Sequence, residues 1–273
     1  MGAQIFDMNT RSPVQVLAIH AHPDDVEILC AGTLTLLAQQ GHGVSISSMT
    51  PGDCGSHEHS ANEIAAIRRE EAGRAAALIG ATYTCAEFRD LSIFSTDSAR
   101  RRVTALLRSA KPDIVVTSAP IDYMCDHETT SALVRDACFA APAPNYCTRE
   151  FSAADPLPAV PHLYFMDPIG AGKDACRDFF INIDSVFATK RAMLAEHRSQ
   201  RAWLAKHHGI DDYLDQMERW SKAHGERVGT TYAEGFTQCR RHGYPETPLL
   251  QNLLQEYCCP TPALRQGSRR ERL

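Results

Sequence analysis

The residues best suited to do chemistry are an imidazole and two carboxylates packed into His22-Pro23-Asp24-Asp25. They directly follow an apolar run at residues 14–18 and precede a pattern typical of a helix, so the sequence predicts a turn at the C-terminal end of a buried strand. Ligands and catalytic groups collect at that edge of open α/β sheets. Two adjacent carboxylates repel each other unless positive charge lies beside them, and a divalent metal ion is the simplest source of that charge.

A second polar group, Asp126-His127, follows another apolar run at residues 114–118. We expect Asp126 to cap the helix that begins there. The two strand ends are predicted to meet at one edge of the sheet, which would bring His127 close to His22 and Asp25. Two imidazoles and one carboxylate that leave a coordination position open form a catalytic zinc site.

The remaining carboxylate, Asp24, is then a candidate general base for metal-bound water, and the arrangement predicts metal-assisted hydrolysis. Two other interpretations stay open. The turn can be a simple helix cap with solvated carboxylates, with His127 a hydrogen-bonded histidine at a helix start. Two histidines and one carboxylate also describe non-haem iron oxygenase sites, although a free aspartate beside the water favours the hydrolase.

Composition narrows the class of protein. The 273 residues, 44% hydrophobic and 22% charged, suit one large globular α/β domain over residues 1–273. A net charge of −5 gives no electrostatic case for nucleic acid or an anionic membrane surface. Ten cysteines without a CxxC spacing, and no signal peptide before the first strand, predict reduced thiols in a cytoplasmic protein. We expect a small-molecule partner, and a homo-oligomer is a fair base-rate expectation.

Strands and helices alternate along the first half of the chain. Strands are predicted at residues 14–21, 44–49, 82–88 and 114–118, and helices at 27–40, 62–78, 98–109 and 126–140. This alternation predicts a Rossmann-like three-layer α/β sandwich with a mostly parallel sheet.

The second half of the chain is less repetitive. A proline-rich segment at 141–161 is predicted to be a surface loop over the cleft. Short strands are expected at 162–166 and 179–183, and helices at 184–206 and 211–223. We expect this part to cap the site, with Trp203 and Trp220 as packing residues rather than a platform for a sugar.

The motif Ala21-His22-Pro23-Asp24-Asp25, followed by Ala31-Gly32-Thr33-Leu34, closely resembles the N-acetylglucosaminyl-phosphatidylinositol de-N-acetylase (PIG-L/LmbE-like) family of zinc-dependent N-deacetylases. Other segments resemble the family's motifs in the same order: Arg68 with Glu71-Ala72, Leu78-Ile79-Gly80, Lys111-Pro112-Asp113, Asp126-His127, Lys190, His197-Arg198-Ser199-Gln200 and Ala233-Glu234-Gly235-Phe236.

The resemblance implies an LmbE-like fold and one zinc ion per chain, with His22, Asp25 and His127 as its ligands. It implies that Asp24 activates water and later returns a proton to the leaving amine, and that Arg68 lines the sugar end of the pocket. The implied reaction is removal of an N-acetyl group from an amino sugar, such as N-acetylglucosamine, or from a glycoconjugate.

The chain departs from the family at Met124. Many members have His-Pro-Asp-His where this chain has Met124-Cys125-Asp126-His127, and the first histidine is thought to help stabilise the oxyanion. A thioether cannot donate that hydrogen bond. The resemblance therefore leaves another donor to be found, either among the predicted substrate contacts Tyr123, His57 and His59 or at His197, which we predict to be catalytic.

Two rival hypotheses follow. The first is a catalytically impaired homologue that still binds metal or sugar, which the methionine supports. The second is a Rossmann-like nucleotide-binding protein without metal, which lacks a G-x-G-x-x-G after the first strand because Cys30-Ala31-Gly32 falls inside a predicted helix.

Overall fold

The structure is a computed structural model that describes residues 12–168, 177–208 and 212–261. The strands in those ranges form one mixed sheet. They are β1 (Gln15–His20), β2 (Gly43–Ser48), β3 (Thr82–Cys85), β4 (Ile114–Thr117), β5 (His162–Met166), β6 (Phe179–Asn182), β7 (Ala233–Gln238) and β8 (Cys258–Pro260). Their order is β3-β2-β1-β4-β5-β7-β6-β8, parallel from β3 through β5 and antiparallel beyond.

Helices cover both faces of this sheet. They are α1 (Asp25–Leu29), α2 (Ala31–Gln39), α3 (Ala61–Ala77), α4 (Asp97–Ala110), α5 (Cys125–Ala140), α6 (Phe187–Ala195), α7 (Arg198–His208), α8 (Tyr213–Val228) and α9 (Leu249–Leu253). Residues of α1, α2, α6 and α8 share one core with the sheet, and residues of α4 and α5 share the other. The predicted α/β sandwich is confirmed. The single-domain organisation stays a prediction.

The first strand shows why the parallel strands read as continuous apolar runs. Val16 and Ala18 of β1 pack into the core on one face, while Leu17 and Ile19 pack into the core on the other. A strand buried on both faces has no polar alternation. None of the described helices is long and apolar enough to cross a lipid bilayer.

The helix predicted at residues 27–40 is two helices, α1 and α2, that meet at Cys30. A buried ion pair occupies the break, with Lys190 Nζ 2.5 Å from Glu234 Oε1. The ammonium of Lys190 also donates to the carbonyl oxygen of Ile28, 2.8 Å away, and Glu234 accepts from the backbone amide of Thr33, 2.7 Å away. The prediction of one helix is wrong because the break depends on Lys190 and Glu234, which are distant in sequence. The periodicity of apolar residues within the segment cannot show such contacts.

Three other boundaries differ from the sequence prediction. The strand predicted to reach residue 88 ends at Cys85. Helix α5 begins at Cys125 with Met124 as its N-cap, so the prediction of Asp126 as the cap is wrong; the carboxylate of Asp126 instead accepts from the backbone amide of Leu91 at 2.7 Å. The helix predicted at 184–206 is a 3₁₀ turn followed by α6 and α7. Sequence reasoning also missed β7, α9 and β8.

The proline-rich segment at residues 141–161 lies against α4 and does not line the cavity described below. The buried guanidinium of Arg108 donates to the carbonyl oxygens of Ala141, Ala143 and Tyr146 at 2.7 to 3.0 Å. These charge-assisted hydrogen bonds hold the segment on the side of the molecule. The prediction that it covers the cleft is therefore wrong.

Candidate active site

A cavity of about 510 Å³ opens where the loops that follow β1, β2, β3 and β4 meet. Its charged lining brings together the predicted residues His22, Asp24, Asp25, Arg68 and His127 from separate parts of the chain, and adds Asp90. This is the carboxyl edge of the parallel strands, where such folds place their ligands. Asp90 was not predicted, since a lone aspartate in a loop carries no signal in the sequence.

Asp25 is surrounded by three imidazoles. Its Oδ2 lies 2.7 Å from Nδ1 of His20, 3.2 Å from Nδ1 of His22 and 3.5 Å from Nε2 of His127. Burial works to raise the pKa of this carboxyl, but the charges of His20 and His127 and the hydrogen bonds from the histidines hold it well below its usual range. Asp25 is therefore a carboxylate at the centre of a ring of nitrogen donors.

This cluster has the donors that a zinc ion prefers. Donor atoms of His20, Asp25 and His127 lie within 4.8 Å of one another. The Nε2 atoms of His20 and His127 are buried and have no hydrogen-bond partner among the described residues. A buried nitrogen left unpaired costs about 1–3 kcal/mol, which a bound cation would remove. Imidazole nitrogens and a carboxylate oxygen fit zinc.

Sequence reasoning missed His20, although a feature of the sequence could have revealed it. It is the polar residue that ends β1, a strand buried on both faces, and its own side chain is fully buried. The predicted ligand His22 lies at the same carboxylate and also reaches Asp126, with 3.3 Å between Nε2 and Oδ2. Against the opposing effect of burial, these carboxylates raise the pKa of His22 to about 10. The assignment of His22, Asp25 and His127 as ligands stays a prediction, to which the structure adds His20.

Asp24 occupies a strained position at the start of α1. Its φ of 103° places a residue with a side chain in the left-handed region, where conformational strain is commonly tied to function. Its Oδ2 accepts a hydrogen bond of 2.5 Å from the hydroxyl of Tyr213, and its Oδ1 lies 3.6 Å from the guanidinium of Arg68. Burial raises the pKa of Asp24 despite that guanidinium. A raised carboxyl pKa suits a general base that works near neutral pH.

Arg68 belongs both to the cavity wall and to the support of the turn. Its Nη2 donates to the carbonyl oxygen of Pro23 at 2.6 Å, so the guanidinium fixes the backbone that carries Asp24. The predicted contact of Arg68 with a sugar stays a prediction. Tyr213, 189 positions from Asp24, could not be found by spacing and is the main residue that the sequence reasoning missed.

His197 lies behind the turn and is fully buried, so it does not line the cavity. Its Nε2 is 3.4 Å from Oε1 of Glu27 on α1. The negative charge of Glu27 raises the pKa of His197 against the effect of burial. Two residues further on, Ser199 donates through its hydroxyl to Glu71 at 2.6 Å, which fastens α7 to α3. The predicted catalytic role of His197 is not tested by this placement and stays a prediction.

The other predicted contacts separate into two groups. His57 and His59 line a second, smaller cavity of about 100 Å³. Tyr123 lines the main cavity, with its ring 5.2 Å from that of His127 and perpendicular to it. Trp203 and Trp220 also line the main cavity, which goes against their interpretation as packing residues alone.

Comparison with known proteins finds deacetylases and a hydratase among the relatives of this chain. Residues 17–138 match the family model described as PIG-L, GlcNAc-PI de-N-acetylase. The chain is 25% identical over 197 residues to a 4-oxalmesaconate hydratase from Pseudomonas putida, covering 69% of this chain and 74% of that protein. It is 26% identical over 166 residues to a 1D-myo-inositol 2-acetamido-2-deoxy-alpha-D-glucopyranoside deacetylase from Rhodococcus erythropolis, covering 48% of this chain and 56% of the relative.

A similar fold occurs in a solved structure. The N,N'-diacetylchitobiose deacetylase from Pyrococcus horikoshii superimposes with a TM-score of 0.71 at 26% identity. The match covers 86% of this chain and 88% of that protein. The resemblance thus extends well beyond the segment that the family model matches.

Proposed function

Because residues 17–138 match the PIG-L family model, we propose that this chain is a metal-dependent hydrolase that removes an N-acetyl group from an amino sugar or glycoconjugate. The observation that carries the proposal is Asp24, a buried carboxylate of raised pKa on a strained turn, held beside a cluster of imidazoles around Asp25. Hydrolysis at a metal centre needs a general base and a set of metal ligands beside it.

Asp25 and His127 would hold one zinc ion per chain together with His22, and His20 offers a further nitrogen at the same carboxylate. When bound, the metal would polarise the acetamide carbonyl and lower the pKa of water to roughly 7. Asp122 orients His127 from the other side, with 3.1 Å between its Oδ1 and Nδ1 of the imidazole. Such outer partners fix the ring and raise its basicity toward a metal.

The chain's own residues would move the proton. The carboxylate of Asp24 takes a proton from the attacking water and gives it to the amine that leaves when the carbon–nitrogen bond breaks. Arg68 and Tyr213 hold that carboxylate in place during both transfers. The products are acetate and a free amino sugar.

Tyr123 is the proposed donor to the oxyanion that forms on the acetamide oxygen. Of the candidates from sequence, it alone both lines the main cavity and contacts His127. Met124 lines the cavity beside it and has no hydrogen to donate. A phenol hydroxyl is protonated at neutral pH and can donate to developing negative charge.

Hydration is the second candidate reaction, because one relative is a hydratase whose named substrate is a carboxylate anion. The charges of the cavity disfavour it. Asp24, Asp25 and Asp90 line the cavity. Among the described lining residues, the guanidinium comes from Arg68, which already lies close to Asp24. An anionic substrate would have to share the metal and Arg68 with three carboxylates, whereas a neutral acetamide needs no charge partner beyond the metal.

The test is metal content and amine release on wild type and Asp24→Asn. We expect zinc in both proteins, and in the variant a fall of about 10²- to 10⁴-fold in kcat for release of amine from N-acetylglucosamine or N,N'-diacetylchitobiose. Asp215→Asn, an exposed aspartate on α8, is the matched control and should not change the rate. Undiminished turnover in Asp24→Asn would exclude Asp24 as the general base. A zinc-loaded wild type that releases no amine would favour a catalytically impaired homologue that only binds metal or sugar.

A further inference from the structure

Helices α7 and α8 close one side of the cavity with a stripe of side chains from each. The lining residues stand at i, i+3 and i+4 on α7 and at i, i+3 and i+7 on α8, so each set shares one helix face. They are Gln200, Trp203, Leu204, Tyr213, Gln216 and Trp220, which we call the aromatic wall.

The wall begins in the core and leaves it along α8. Tyr213 is buried in the core with Leu214 and Met217, and Leu204 packs against that core, whereas Trp220 is only half-buried. Packing therefore does not explain why this indole faces the cavity. A large aromatic surface left beside open space is a place where ligand binding gains hydrophobic free energy.

The wall also differs in charge from the rest of the cavity. Among the described lining residues, those on α7 and α8 carry no ionised group, while the strand-end loops carry the carboxylates and imidazoles. Ile28 of α1 continues the apolar surface. The cavity thus has a charged reacting end and a neutral, aromatic end.

A cavity of about 510 Å³ is larger than an acetamido group needs and is in the range that accepts a ligand of drug size. A second sugar ring would bring several hydroxyls to the wall. Gln200 and Gln216 provide the side-chain amides of the wall that could bind them. Hydroxyls buried without partners weaken binding. A flat apolar ring has no such requirement and packs well on indole.

We infer that the aromatic wall is a subsite for an uncharged aromatic aglycone attached to the N-acetyl amino sugar. This inference rests on the proposed function for the reacting end of the ligand. The amide of Gln200 serves the sugar between the two ends, since its Oε1 is buried without a hydrogen-bond partner among the described residues.

The test uses the protein's own fluorescence. Trp203 and Trp220 are the two tryptophans of the sequence, so tryptophan emission, excited selectively, comes from residues of the wall. Asp24→Asn protein, which should not consume the ligand, is titrated with phenyl 2-acetamido-2-deoxyglucoside, N,N'-diacetylchitobiose and N-acetylglucosamine. We expect an emission shift with the phenyl glycoside and a Kd about tenfold below those of the two others.

Trp220→Ala in the same background should lose that about tenfold advantage, with Trp203 still reporting. Phe139→Ala, which removes an exposed aromatic residue of α5 outside the cavity, should leave all three affinities unchanged. Equal affinity for the phenyl glycoside and the disaccharide would overturn the aromatic aglycone in favour of a second sugar. Unshifted emission together with equal affinities would overturn the subsite.

The same ligands separate this inference from the proposed reaction. Tight binding of the phenyl glycoside, lost in Trp220→Ala, would uphold the subsite even if zinc-loaded wild type released no amine from any of the three. Amine release with the same kcat/KM for all three would uphold the reaction and overturn the subsite.

Discussion

A left-handed backbone at Asp24 turns one aspartate into the cavity while the next, Asp25, faces the imidazoles. Burial raises the pKa of Asp24, whereas His20 and His127 hold that of Asp25 low. Two carboxylates one peptide bond apart are thereby suited to different tasks, one to exchange protons and one to stay ionised.

Tyr213→Phe tests how Asp24 is held. The variant loses the hydrogen bond to Oδ2, which for a charged acceptor is worth about 1.5–3 kcal/mol, so we expect kcat to fall by about 10- to 100-fold with zinc content unchanged. Tyr244→Phe is the matched control, because its hydroxyl binds the carbonyl oxygen of Arg135 instead. Equal rates in the two variants would show that the contact with Tyr213 does not matter to catalysis.

Tyr123→Phe tests the proposed oxyanion donor. Loss of one donor should lower kcat by about 10²- to 10³-fold and leave KM nearly unchanged, since the bond forms in the transition state. The double variant with Met124→His should recover part of that loss, because it returns a donor to the adjacent cavity position. A change confined to KM would instead place Tyr123 in ground-state binding.

At the scale of elements, the break between α1 and α2 fixes the direction of the helix that begins at Asp25. Lys190 holds the carbonyl end of α1, and Glu234 accepts from the backbone amides of Gly32 and Thr33 at the start of α2. From the sequence, Lys190 and Glu234 could only be matched to motifs of a family. These hydrogen bonds give both residues a structural role. They position the turn that carries the proposed metal ligands without contacting those ligands.

Lys190→Met tests that role. Removal of one partner of a buried ion pair leaves Glu234 uncompensated and should lower the free energy of unfolding by about 3–5 kcal/mol, measured by urea denaturation. Zinc affinity should fall as well, because the start of α1 is no longer fixed. The exposed pair of Lys206 and Glu58 supplies the control, and Lys206→Met should leave the free energy of unfolding nearly unchanged. Similar losses in the two variants would contradict the structural role.

The sequence predicted the parts of the site that lie at the ends of apolar strands. His22, Asp25 and His127 follow β1 and β4, and the rule that parallel strands end at one edge brought them together. Tyr213 and the aromatic wall could not be predicted in this way, because helical spacing shows which residues share a face but not what that face meets.

At the scale of the whole molecule, the parallel half of the sheet supplies the charged loops and the C-terminal helices supply the wall. The cavity therefore exists only where the two halves of the chain meet. A ligand or metal that binds there should stabilise the folded protein by mass action.

Zinc at about 100 times its Kd should stabilise the protein by about 2.7 kcal/mol, which corresponds to a rise in Tm of several degrees. Chelation should reverse the rise, and His127→Ala should abolish it because an imidazole of the cluster is lost. Differential scanning calorimetry at fixed protein concentration measures both. The same rise in the variant would place the zinc elsewhere.

The helix break also bears on how the chain is made. Gly32 and Glu234 are 202 positions apart, so a ribosome that adds 5–20 residues per second needs about 10–40 s to deliver the carboxylate after the amide has been synthesised. Until then the nascent N-terminal segment, which includes all of residues 17–138, has its histidines and aspartates in place along the chain but no anchor for the turn that bears them. We expect metal capture to be a late event that follows synthesis of the C-terminal strands.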